Sequence, residues 1–316
     1  MTKRSINLYF SIEPKFLIIL LLASSLLFGH NNLYSQELEE IIQKVENTLS
    51  SPKSDSLDLT WSLEERMEHY KIPAVSIAVI SNYELHWSKA YGYADKEKKI
   101  LATTKTLFQA ASISKSLNSL GLLSWVEQNQ INLEDDFSDH LSSWKLKSRK
   151  KSNGEKITIS NLLSHTSGLS GHGFDGYGEE DKLPRTIQIL NGKKPCNSKR
   201  VESKSEPNLE FKYSGGGITI TQLILEESSG SSYDKYMKEH ILNPLGMTKS
   251  TFNQQVHNND TQKASAYWVS GAQLDGKYRR YPEMAAAGLW TNPAELSHFI
   301  IEIQKSLRVF GYFCGK

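Results

Sequence analysis

The order of elements in this sequence predicts an α+β fold: helices, one early β-hairpin, then a long succession of helices. Three observations carry the prediction. Apolar residues recur at helical spacing from Leu38 onward; two β-rich runs, Ala74–Ile80 and Glu84–Tyr91, flank the turn-forming Ser81-Asn82-Tyr83; and most of the remaining chain has helical periodicity. At 316 residues the chain is long enough for one large domain or two intergrown lobes with a sizeable core.

The first residues read as a targeting segment. Lys3, Arg4 and Lys15 precede the apolar run Phe16–Gly29, and small and polar residues follow. The run is shorter than the roughly 20 apolar residues needed to cross a bilayer. We therefore read residues 1–36 as a secretory signal peptide, cut near Ser35 or Gln36, with a retained N-terminal anchor as the alternative. Residues 37–316 form the domain, which is exported to the periplasm or secreted and meets the membrane only through that segment. The absence of a cysteine just after the run argues against a lipidated N-terminus.

In the mature chain Leu38, Ile41, Ile42, Val45 and Leu49 outline a first amphipathic helix, and Trp61, Leu63, Met67 and Tyr70 a second that stops at Pro73. The hairpin follows. After Leu107–Ala111, a helix is expected with Ile113, Leu117, Leu120, Leu123 and Val126 on one face. Residues 171–208, rich in Gly, Pro and charge, read as a long surface excursion. Further helices are expected at Ile218–Glu227, Tyr233–Ile241 and Leu296–Leu307, the last with Asn292 as cap, Pro293 in its first turn and Glu295 three residues after the cap. A hairpin alone is marginally stable and needs further strands. Only nine residues follow Leu307, so the late strands of the sheet are expected to be missing.

Composition narrows the function classes. Net charge is +2, from 37 basic and 35 acidic residues, which gives no signature of nucleic-acid binding. The basic stretch Lys145–Lys156 lacks aromatics and reads as a solvated loop. Cys196 and Cys314 make no disulfide framework; two free thiols are favoured over a pair. The nine histidines show no metal-ligand spacing, so neither a metal nor an organic cofactor is implied.

Ser112-Ile113-Ser114-Lys115 carries the chemistry. If Ser112 opens a helix, Lys115 lies one turn on and on the same face, and its amine reaches the hydroxyl. A serine is too weak an acid to attack unaided, and a neighbouring base or cation activates it. The Ser-x-x-Lys spacing alone is weak, since it occurs five times, at Ser50, Ser112, Ser142, Ser148 and Ser232. Ser112 differs in following a strand-like run and starting a long apolar-faced helix; the competing reading is a plain cap serine.

Phe108–Lys115 (FQAASISK) resembles the nucleophile motif of the serine β-lactamase and penicillin-binding-protein superfamily. Asn161–Gly168 (NLLSHTSG), Phe211–Gly217 (FKYSGGG), Asn243–Met247 (NPLGM) and Met284–Asn292 (MAAAGLWTN) resemble further landmarks in the same order. The likeness runs from about Leu63 to Leu307 and is nearest to the class C-like β-lactamase-related hydrolases. It implies an α+β, β-lactamase/transpeptidase-like fold: an antiparallel sheet with flanking helices, plus an all-helical lobe. It also implies catalytic roles: Ser112 as the acylated nucleophile, Lys115 as the cation that helps deprotonate it, and Tyr213 as proton shuttle. His165 is expected to be a structural hydrogen-bonding residue. Many members have Asn two residues after the tyrosine, where it contacts substrate; here that position is Gly215, which shifts substrate preference. The third family motif, a glycine-containing late strand, has no counterpart in Arg308–Lys316. The resemblance thus implies a hydrolase of amide, β-lactam or ester bonds in small molecules or cell-wall peptides, with a truncated non-catalytic relative as the alternative. Oligomeric state is open, although an unpaired sheet edge could recruit a second chain.

Overall fold

The computed structural model describes residues 35–50, 60–147, 153–255 and 261–309, in two compact units divided after Tyr70. The apolar segment Phe16–Gly29, Ser148, Cys314 and the rest of the tail after 309 lie outside the described residues. In the first unit, helix α1 (35–47) is followed by β1 (Leu49–Ser50), which pairs antiparallel with β2 (Thr60–Trp61). Helix α2 (Leu63–His69) starts at a capping box: the Ser62 hydroxyl accepts the Glu65 N–H at 3.1 Å, and the Glu65 carboxylate accepts the Ser62 N–H at 2.7 Å. Trp61, expected in this helix, belongs to β2 instead, because the cap at Ser62 sets the helix start after it.

The second unit opens with β3 (Ala74–Ser81) and β4 (Glu84–Asp95), joined through Asn82 and Tyr83 at φ 52° and 64°. Positive φ at both central residues is what a two-residue hairpin turn requires. The short strand β5 (Ile100–Leu101) pairs with β4, giving the order β3-β4-β5, all antiparallel. Among the described residues β3 is therefore an edge strand. Next, β6 (Phe108–Gln109) leads through a 3-10 turn, Ala111–Ile113, into α3 (Ser114–Gln128). Helices α4 (Ile159–Leu163), α5 (Thr186–Asn191), α6 (Gly215–Ser229) and α7 (Tyr233–Met237) follow, the last running into a π-helical turn, Lys238–Leu242. The last described elements are α8 (Met284–Ala287), β7 (Trp290–Thr291), which pairs with β6, and α9 (Pro293–Val309), which packs on β3 and β4. No helix among the described residues is long and apolar enough to cross a membrane.

Helix α6 is the centre of the helical part. It is buried on every side from Gly215 to Leu225, and α3, α4, α5, α7 and α8 pack around it. Two expectations need correction. The stretch 171–208 is no mere surface excursion: Tyr177, Ile189, Leu190 and Val201 are buried, and α5 packs on α6. Its apolar residues come in isolated pairs, too few to show a period. The inward face of α3 is also rotated from the expected one. Ser114, Leu117, Asn118, Gly121, Leu122, Trp125 and Val126 are buried, whereas Leu123 is 40% and Ile113 46% exposed. Asn118 and Gly121, invisible to an apolar count, belong to the packed face.

Candidate active site

Ser112 is held out at the surface by its neighbours. Strand β6 fixes the approach: Gln109 donates to the Arg279 carbonyl at 2.7 Å and the Ala110 N–H to the Leu289 carbonyl at 2.9 Å. Ala111 then adopts φ 44°, a strained left-handed conformation for a residue with a Cβ, and turns the chain into the 3-10 turn that carries Ser112. Buried Ser114 bolts the turn down. Its hydroxyl donates to the Ala111 carbonyl at 2.5 Å and accepts the Leu289 N–H at 2.9 Å.

Two side chains converge on the exposed Ser112 hydroxyl. The Lys115 ammonium donates to Oγ at 3.1 Å, and the Tyr213 phenol, 101 positions away, donates to it at 2.8 Å. Lys115 is fixed from the far side by a 2.6 Å hydrogen bond to the Ala286 carbonyl in α8, and its Nζ lies 4.9 Å from the Tyr213 ring centroid. A serine oxygen flanked by an amine and a phenol is the geometry of an activated nucleophile. Of the other Ser-x-x-Lys serines, Ser142 donates to Glu227 at 2.8 Å, Ser232 stands at the N-cap position of α7 with no capping hydrogen bond from its side chain, and Ser50 lies in β1.

Tyr213 is presented by the segment that enters α6. The Ser214 hydroxyl caps that helix by accepting the Gly217 N–H at 2.8 Å, and it donates to the Ser170 carbonyl at 2.8 Å. The glycines here allow close approach. A Cβ on Gly216 would stand 2.4 Å from the Ser170 carbonyl oxygen, and one on Gly215 only 2.9 Å from the Phe174 ring. Gly215 is thus buried beneath the 171–174 loop, two residues from Tyr213, with no room for a side chain. His165 and His172 lie beside the Tyr213 ring at centroid distances of 4.5 and 5.0 Å. His165 accepts the Ser214 N–H on Nδ1 at 3.2 Å, and burial, then the Lys115 charge, hold its pKa below the ordinary imidazole value.

The structure therefore brings Ser112, Lys115 and Tyr213 together and places Gly215, two residues from Tyr213, against the 171–174 loop. Sequence reasoning missed the Ala286 carbonyl and the ring of His172. A backbone acceptor leaves no trace in residue type, and His172 sits in a loop without periodicity.

The site is of the serine hydrolase type, and comparison with known proteins agrees. The beta-lactamase family model matches residues 62–309, and the chain belongs to that family. It is 29% identical over 240 residues to Protein flp of Staphylococcus aureus (strain N315), covering 75% of this chain and 47% of that protein. It is 28% identical over 202 residues to the putative penicillin-binding protein PbpX of Bacillus subtilis (strain 168), covering 63% and 46%. Among solved structures it resembles the octameric penicillin-binding protein homologue from Pyrococcus abyssi, with a TM-score of 0.63 and 25% identity, over 77% of this chain and 55% of that one. The matched part of this chain thus spans about half the length of these curated relatives, 47% and 46%. The α+β, β-lactamase/transpeptidase-like fold expected from the sequence is the fold observed.

Proposed function

We propose that the protein is an exported serine hydrolase that forms an acyl-enzyme at Ser112. The observation that carries this reading is the convergence of Lys115 and Tyr213 on one exposed hydroxyl. In the resting site both hydrogen bonds run toward Oγ. In reaction the Ser112 proton leaves along one of them, to a Tyr213 or Lys115 that has lost its own, as Oγ bonds to the substrate carbonyl carbon. Collapse of the tetrahedral adduct breaks the bond to the leaving group, which takes up that proton. Water then attacks the acyl carbon and frees Ser112. When Tyr213 takes the proton, Lys115 supplies positive charge beside the reacting Ser112 oxygen, held in place by the Ala286 carbonyl.

The substrate is a compound with an amide, β-lactam or ester bond. Ile113 beside the serine is 46% exposed, and Phe211, packed edge-on to His165, is 70% exposed. Exposed apolar side chains next to Ser112 and two residues before Tyr213 favour a substrate with an apolar group near the scissile bond. Intact mass after exposure to a fluorophosphonate and, separately, to a penicillin tests the reading. We expect one adduct per chain, absent in Ser112→Ala. A folded chain that takes up neither reagent would overturn the proposal in favour of a non-catalytic relative, and penicillin labelling would move the substrate to the cell-wall side.

A further inference from the structure

One residue fastens the segment that presents Tyr213 on both sides. The His165 carbonyl accepts the Lys212 N–H at 2.8 Å, and its ring Nδ1 accepts the Ser214 N–H at 3.2 Å, so both neighbours of Tyr213 hang on His165. The same imidazole packs against the phenol, with ring centroids 4.5 Å apart and planes tilted by 37°. His165 sits at φ 58°, a left-handed conformation, and offers both acceptors of one residue to one segment. Its own segment is anchored in turn: Asn161 donates to Thr166 at 2.9 Å and to Asn208 at 2.6 Å, and the Asn208 N–H returns to the Thr166 carbonyl at 2.8 Å.

We propose that His165 is the positioning residue of Tyr213: its neutral imidazole, accepting at Nδ1, fixes the phenol over Ser112, and protonation of the ring releases it. This rests on the reading of Tyr213 as proton carrier. An Nδ1 that accepts from Ser214 puts the proton of the neutral ring on Nε2. An imidazolium carries a proton on both nitrogens, so it would face the Ser214 N–H donor to donor. Among the described residues, the charged and titratable groups that face the ring are Lys115, from α3, and the Tyr213 phenol. Burial, and after it the Lys115 charge, disfavour a positive imidazole, which keeps the clamp closed at neutral pH.

The test compares His165→Asn with His165→Gln in the full chain, with fluorophosphonate labelling of Ser112 as the readout. Asparagine places its side-chain oxygen near the Nδ1 position and tolerates left-handed φ; glutamine carries its oxygen one bond further out. We expect the asparagine variant to keep most of the labelling rate and the glutamine variant to lose about 10²-fold, the scale of an ångström-sized misplacement. In wild type the slope of log rate against pH should steepen by about one in the acid range as the ring gains its proton, and His165→Asn should lack that step. Equal rates for the two variants, or superimposable pH profiles for wild type and His165→Asn, would sink the inference. If the glutamine variant melts early, the pH comparison with the asparagine variant decides by itself. Wild type that never labels at Ser112 overturns the catalytic reading first, and this inference with it.

Discussion

Glu283 lies fully buried at the start of α8, three residues before the Ala286 carbonyl that receives Lys115. Neither carboxylate oxygen makes a hydrogen bond of ordinary geometry, although its own backbone N–H leans toward it, and burial pushes its pKa up to about 7. Between 4.5 and about 7 the folded chain keeps a proton that the unfolded chain has lost. Its contribution to stability is therefore fully present below pH 4.5 and is lost as pH rises through about 7. Glu283→Gln removes the titration. We expect its advantage over wild type in urea denaturation to grow across that window by about 3 kcal/mol, and a constant offset would refute the assignment. Gly215 supplies a second residue-scale case. Restoring the asparagine of many relatives would put a Cβ 2.9 Å from the Phe174 ring and 3.2 Å from the Gly171 carbonyl oxygen. Gly215→Asn should thus destabilise the fold by about 1–3 kcal/mol, read by thermal melting, and slow Ser112 labelling instead of improving it. The glycine was legible in the sequence as a departure from a pattern; that it fits a loop packed on α6 was not, because the loop comes from residues 171–174.

At the scale of elements, what could be read was local. The Ser112–Lys115 pairing rests on one helical turn, and it is where the structure has it. The β3–β4 hairpin and the cap of α9 were equally readable, since the Asn292 side chain does accept the Glu295 N–H at 2.9 Å. Glu295 itself does not close a capping box; its carboxylate accepts the Lys249 and Ser250 N–H groups at 2.8 and 2.7 Å. Tyr213 came only through resemblance, because 101 positions of chain separate it from Ser112. Helix α3 shows why the packed faces were harder. Its buried Asn118 donates to the Thr221 hydroxyl at 2.9 Å and accepts the Tyr233 hydroxyl at 3.1 Å, while Gly121 leaves room for Met237. A polar residue and a glycine therefore define the inward face, and counting apolar side chains rotates it. Asn118→Ala would strand the fully buried Tyr233 hydroxyl and part of Thr221. We expect a loss of about 2–3 kcal/mol in urea denaturation, with Tyr233→Phe recovering about 1 kcal/mol in the double variant. Additivity of the two changes would show that the bond contributes nothing.

Across the second unit as a whole, the three-stranded sheet and the helical part are joined by the segment after residue 261. Its residues pair with both: the Ser265 N–H donates to the Ala94 carbonyl at 2.8 Å in β4, and the Leu107 and Ala264 N–H groups tie residues 262–264 to the start of β6. Farther along, Arg279 offers its carbonyl to Gln109, three residues before Ser112. The keystone of this arrangement is an ion pair between buried Asp95, at the end of β4, and the half-buried Lys277, with Gln273 and the Lys98 N–H completing the carboxylate shell. Burial alone would raise the Asp95 pKa, but the hydrogen bonds and charge of Lys277, with the Lys98 N–H, outweigh it and hold the group below the ordinary value of 3.8. Its stabilising contribution is therefore present above that pH and lost as pH falls through the lowered folded value. Asp95→Asn leaves the Lys277 ammonium largely buried without its counter-charge, which should lower stability by about 3 kcal/mol, the low end for a broken buried pair. Adding Lys277→Met removes the stranded charge and should return most of that loss. The same pair of variants reports on the site, because a loosened 277–280 segment withdraws the Arg279 carbonyl from Gln109 and slackens the strand that delivers Ser112. Urea denaturation and the rate of fluorophosphonate labelling, measured on the single and double variants together, should fall and recover in parallel. Recovery of stability without recovery of labelling would mean that the ion pair orders the sheet but does not reach the serine.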